Sequence, residues 1–161
     1  MARWRGFVIG VAAGVLFAGV AACSVTNLVG YTAAERSLAQ IQINGYPKTG
    51  HFDDSEPGTT DSSGVYVGPP ASNSDLAKMM IGPGVFVEVF PRPSPNVATL
   101  PSDNTVWIGR GNAPLGCGLL IYKYRKGKSA SDWWNITDSQ LARARAGRLG
   151  IFEVTVVCGK G

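Results

Sequence analysis

The chain has 161 residues, 45% hydrophobic, 9% aromatic and 16% charged, with one His and three Cys. That length fits one modest domain with appendages, and sparse charge with a mean hydropathy of +0.07 excludes a disordered or coiled-coil protein. The formal charge of +4 is unevenly spread: residues 1–5 carry two arginines, residues 6–103 four basic against eight acidic groups (net −4), and residues 104–161 nine basic against three acidic (net +6). One His and three Cys make a four-ligand zinc cluster improbable, so neither a metal nor another cofactor is expected.

Arg3 and Arg5 precede an uncharged apolar run over residues 6–22 that ends at Cys23. A basic tip followed by an apolar stretch is the architecture of an export signal, and its arginines keep the N-terminus in the cytoplasm with the rest of the chain outside. The last four positions, Val20-Ala21-Ala22-Cys23, resemble the lipobox of bacterial lipoproteins. That resemblance covers residues 1–23 only. It implies cleavage before Cys23, acylation of its thiol, and a lipid anchor in the membrane. A single-pass signal anchor is the second choice: the run just reaches the length needed to span a bilayer, and Gly6, Gly10, Gly14, Ala18 and Ala22 form a small-residue stripe.

With Cys23 lipidated, Cys117 and Cys158 remain, the arithmetic of one disulfide in an exported domain. Both sit at the ends of apolar β-like runs, where neighbouring strands bring cysteines within bridging distance.

Residues 23–43 read as a lipid-anchored helical tether, with Tyr31, Ala34, Leu38 and Ile41 on one face. Residues 44–73 read as a flexible linker, since 21 of the 30 are Gly, Pro, Ser, Thr, Asn or Asp, with Val65-Tyr66-Val67 as a candidate short strand inside it. Residues 74–161 then form a disulfide-bonded α+β domain. A short helix through Leu76, Met79 and Met80 stopped by Gly82-Pro83-Gly84, a strand over 85–90, strands over 105–108 and 118–125, a helix capped by Thr137 and Gln140, and a last strand over 151–157 follow in order. The expected architecture is a small, mostly antiparallel sheet of four or five strands with one or two short helices. The crossover before the last strand leaves a mixed sheet open.

Residues 109–116 are glycine-rich but hold Pro114 and lead into a strand, so they read as a hairpin connection and not as a phosphate loop. Lys123, Arg125, Lys126 and Lys128, with Trp133 and Trp134 beside them, are the candidate contacts to a ligand, to anionic lipid or to a wall polymer. An exported domain has little occasion to meet nucleic acid. No nucleophile motif is present, and no catalytic residue is assigned. Carboxylates for a hydrolase would come from Asp53, Asp54, Glu56, Glu88, Asp103, Asp132 and Glu153. The expectation is therefore a membrane-anchored extracytoplasmic lipoprotein with a binding or accessory role. The alternatives are a cell-envelope hydrolase using paired carboxylates, or a signal-anchored subunit whose partner is a larger membrane protein.

Overall fold

The computed structural model describes residues 31–90, 105–124 and 135–159. Their elements in chain order are α1 (Ala33–Leu38), β1 (Gln42–Ile43), β2 (Lys48–Glu56), β3 (Thr59–Gly68), α2 (Asn73–Met79), β4 (Met80–Ile81), β5 (Phe86–Val89), β6 (Thr105–Asn112), a 3-10 turn (Pro114–Gly116), β7 (Gly118–Tyr124), α3 (Asp138–Arg145) and β8 (Gly150–Gly159). The fold is α+β. A six-stranded sheet runs in the order β2-β3-β8-β7-β6-β5, and β1 pairs with β4 in a two-stranded sheet. Every one of these pairings is antiparallel, so the parallel alternative for the last strand does not occur.

The last strand in sequence is central in space. β8 alternates Phe152, Val154, Val156 and Cys158 to one face with Ile151, Glu153, Thr155 and Val157 to the other, as the period of two requires. On the first face, α1, α2 and the β1-β4 pair cover Tyr66, Ile121, Phe152 and Val154 to make the larger core. The buried Phe152 meets the Tyr46 ring edge-on at 5.5 Å. Burial of each such side chain stabilises the fold by roughly 1.5–3 kcal/mol. On the second face, Leu141 and Ala144 of α3 seal only one end of the sheet, over Val65, Val67, Tyr124 and Ile151. The Thr137–Gln140 capping box opens α3 as the sequence predicts.

Residues 44–73 are not a linker. Lys48–Glu56 and Thr59–Gly68 form a hairpin, and β3 lies directly against β8 along its whole length. The polar residues that suggest a linker include the exposed ones of β2, but Ser62 and Ser63 of β3 are buried together with Val65, Tyr66 and Val67. This hairpin raises the main sheet to six strands instead of four or five. The helical tether over 23–43 is likewise revised in its described part. α1 stops at Leu38, the chain turns into β1, and Ala34, Leu38 and Ile41 are buried in the core. Of the expected apolar face, Ala34, Leu38 and Ile41 pack on this protein's own sheet, whereas Tyr31 is half exposed. The apolar run and Cys23 lie outside the described residues, among which no helix is long and apolar enough to cross a membrane.

Candidate functional site

The part of the second face that α3 leaves uncovered carries three rows of side chains, fixed by the strand register. Trp107, Tyr122 and Glu153 sit side by side on β6, β7 and β8. The next row is Arg110, Leu120, Thr155 and Ser63, and the third brings Val157, Asp61 and Asp54 together. In the first of these rows Trp107 is pinned by its indole N–H, which donates to the Gly109 carbonyl at 2.7 Å, and by Phe90, edge-on at 4.7 Å. In the middle row Ser63 and Thr155 share a hydrogen bond of 2.8 Å, and the Thr155 hydroxyl donates weakly to Glu153 Oε1 at 3.4 Å.

The titratable groups of this face are electrostatically linked. Burial raises Glu153 above the usual carboxylate range, and the Thr155 hydrogen bond opposes that rise in part. Asp61 is raised as well, by burial first and then by the charges of Asp54 and Glu56. Its Oδ1 is buried and has no hydrogen-bond partner among the described residues. Burial, then Glu153, then Asp61 push the Tyr122 hydroxyl up to about 12, so it stays a donor at neutral pH. An aromatic pair next to hydroxyls and carboxylates makes a platform suited to recognising a ligand.

The carboxylates nominated by the sequence do not converge here. Glu88 lies on the edge strand β5, exposed and 3.5 Å from Arg110, with β6 and β7 between it and Glu153 on β8. Asp61 and Glu153 share the face, but the register separates them by four residues along neighbouring strands, about 13 Å of strand rise. Asp103 and Asp132 lie outside the described residues. Among the described residues no group of three or more His, Cys, Asp or Glu could hold a metal ion.

His51 makes a pairing that is not apparent from the sequence. Its Nε2 lies 3.0 Å from Ser62 Oγ and 3.2 Å from Asp53 Oδ1, on the first face. The residue types match a catalytic triad, but the geometry does not. Both contacts use one ring nitrogen, whereas proton relay needs one partner on each, and Ser62 is fully buried. The cluster ties the edge strand to β3.

Cys117 and Cys158 are bridged, with Cα atoms 4.6 Å apart at the ends of the β7-β8 ladder. Lys123 is not an open surface contact. Its ammonium donates to the Ala71 carbonyl at 3.2 Å and lies 5.6 Å from the centre of the Phe152 ring, because its strand position faces the main core. Arg125, Lys126, Lys128, Trp133 and Trp134 lie outside the described residues. The sequence reading missed Asp61, Ser63, Tyr122 and Thr155. The available signal was the β-forming run Val65-Tyr66-Val67, which the polar stretch over 59–63 extends as a strand. No family model, curated protein or solved structure matches this chain.

Proposed function

We propose that the protein is a membrane-anchored extracytoplasmic lipoprotein with a non-catalytic binding or accessory role at the cell envelope, held by acyl chains on Cys23. The observation that carries this reading is the Cys117–Cys158 bridge. A bridge of this kind belongs to an oxidising compartment, and it accounts for every cysteine except the one that ends the apolar run. The binding half of the reading rests on the platform of Trp107, Tyr122, Ser63 and Thr155, where aromatic and hydrogen-bonding groups are fixed by the sheet. With Lys123 engaged internally, a second contact with anionic lipid or wall polymer would fall to Arg125, Lys126 and Lys128.

The test is the intact mass of the full chain extracted from membranes of a bacterial host. The expected product lacks residues 1–22 and carries acyl mass on Cys23, while Cys23→Ala stays at precursor mass without label. A wild-type chain that is uncleaved and unacylated overturns the lipid anchor in favour of the single-pass anchor. Cleavage without acylation makes the protein a secreted one. The hydrolase reading draws on the raised Glu153 and on Asp61, raised as well and directly opposite Asp54 across β2 and β3. Among the described residues Glu153 has no second carboxylate in register beside it, and the pair Asp54–Asp61 lies on the sheet surface with an exposed Asp54 and not in a cleft between two carboxylates.

A further inference from the structure

An open groove of about 510 Å³ lies on the other side of the molecule, between the segment that runs from the end of α1 into β2 and the face of Tyr66. Its size is that of a small-molecule site. Tyr66 forms one wall, 2% exposed, and its hydroxyl is buried with no hydrogen-bond partner among the described residues. A buried hydroxyl left unpaired is costly, and native structures seldom keep one without a reason.

Lys48 is the direct cross-strand partner of Tyr66 and also lines the groove. Their side chains converge over Gly64. A Cβ on that glycine would lie 3.0 Å from both Lys48 Cδ and Tyr66 Cε2, and 3.3 Å from the Tyr66 hydroxyl oxygen. The missing side chain leaves room for the exposed lysine stem beside the hydroxyl. The exposed Lys48 stem and the Tyr66 hydroxyl thus lie on the same side of Gly64. Burial holds the Tyr66 pKa near about 12, so the group remains a donor. One end of the groove therefore offers a neutral donor and a cation together, with no carboxylate paired to Lys48 among the described residues.

The apolar part of the lining is Leu38, Ile41 and Tyr46, with Gln42 and Asn44 between them in sequence. The carbonyls that close α1 are already used: those of Glu35, Ser37 and Leu38 accept from the N–H groups of Ala39, Gln40 and Ile41, and that of Arg36 accepts from the Gln40 side chain. The Tyr46 hydroxyl is also taken, donating to the Pro69 carbonyl.

We infer that this groove binds a small amphipathic carboxylate, whose anionic head accepts from the Tyr66 hydroxyl and pairs with Lys48 while its apolar body lies against Leu38, Ile41 and Tyr46. The site gives the binding role proposed above a ligand class, and it does not depend on the anchor. Acyl mass at Cys23 decides one, and ligand shifts at Lys48 and Gly64 decide the other.

The probe is 4-phenylbutyrate titrated into the ¹⁵N-labelled full chain in nanodiscs, with empty nanodiscs as the blank and 4-phenylbutanol and inorganic phosphate as comparison ligands. Saturable shifts at the amides of Lys48, Gly64 and Tyr66 are expected, with a Kd near roughly 1 mM for a ligand of this size. Lys48→Met and Tyr66→Phe should each weaken binding roughly tenfold. Tyr66→Phe should melt no lower than wild type, because it deletes an unpaired hydroxyl. Equal binding of the alcohol, or unchanged affinity in Tyr66→Phe, overturns the polar end. Phosphate binding as tightly as the carboxylate overturns the apolar lining, and no saturable shift at these amides overturns the site.

Discussion

Replacing both bridged cysteines by alanine tests whether the Cys117–Cys158 bond carries a substantial share of the domain's stability. The two residues are 41 apart in sequence. Closing a loop of that length removes about 13 cal/mol/K from the unfolded ensemble, or about 4 kcal/mol at 25 °C, in the chain-entropy account. Typical domains have only 5–15 kcal/mol in total. For a domain of roughly 100 residues the loss corresponds to a fall of about 15–30 °C in melting midpoint. Alanine is preferred to serine because both sites are buried, at 6% and 3% exposure, where an unpaired hydroxyl would add its own penalty. Calorimetry of the full chain should show three coincident losses: in Cys117→Ala/Cys158→Ala, in Cys158→Ala alone, and in reduced wild type. One broken bond removes the whole constraint, so the single and double variants must not add. A midpoint for the double variant within about 5 °C of oxidised wild type would refute the account.

Two further substitutions probe the edge of the sheet and a helix start. A Cβ at residue 111 would stand 1.8 Å from the Phe86 carbonyl oxygen, so Gly111→Ala should push β5 off β6 at a cost of about 1–3 kcal/mol. Faster amide exchange in β5 is the readout, with Gly118→Ala as the mild control, since its nearest neighbour would be 3.7 Å away. Thr137→Ala removes the capping box of α3 and should lower stability by about 1 kcal/mol in urea titrations. An unchanged urea midpoint would show that the cap contributes nothing.

Much of the architecture was legible because it depends on local patterns. The alternation over 151–157 marks a strand and Thr137 with Gln140 marks a helix start, but the helix expected through Met80 ends at Met79, and Met80–Ile81 form β4 before Gly82 is reached. The β2-β3 hairpin was not, for a physical reason. Its two-residue turn is Pro57-Gly58, with Gly58 at φ 98, and such a pair reads equally well as a breaker or as a turn. Its polar residues include the buried Ser62 and Ser63, whose burial composition does not display, so composition alone suggests a linker. The true end of α1 was hidden in the same way. The Thr32–Glu35 capping box fixes its start, but only the packing of Ile41 and Ile43 shows that the chain leaves the helix at Leu38. The candidate platform was illegible because it is assembled across strands. Tyr122 and Glu153 become neighbours through register, with Asp61 farther along the same face, which a single sequence does not display.

Glu153 offers the sharpest test of that assembly. It stands mid-strand between Phe152 and Val154, and burial raises its pKa while the Thr155 hydroxyl opposes the rise. A carboxyl with a folded-state pKa above its unfolded value is held more firmly when protonated. Its favourable contribution is complete below the unfolded value and is lost as pH climbs through the folded one. Glu153 thus works against the fold at neutral pH, and Asp61 acts in the same direction. Glu153→Gln keeps the shape and the acceptor for Thr155 while removing the charge. The variant should melt higher than wild type at pH 7, and the gap should close as pH is lowered through the carboxylate range. The same change should move Tyr122 down from about 12, since the Glu153 charge is one of the causes that hold it there, and ¹³Cζ-tyrosine NMR would read that shift. A variant that melts lower than wild type at pH 7, with Tyr122 unmoved, would show that Glu153 points into water and that the three groups do not share one surface.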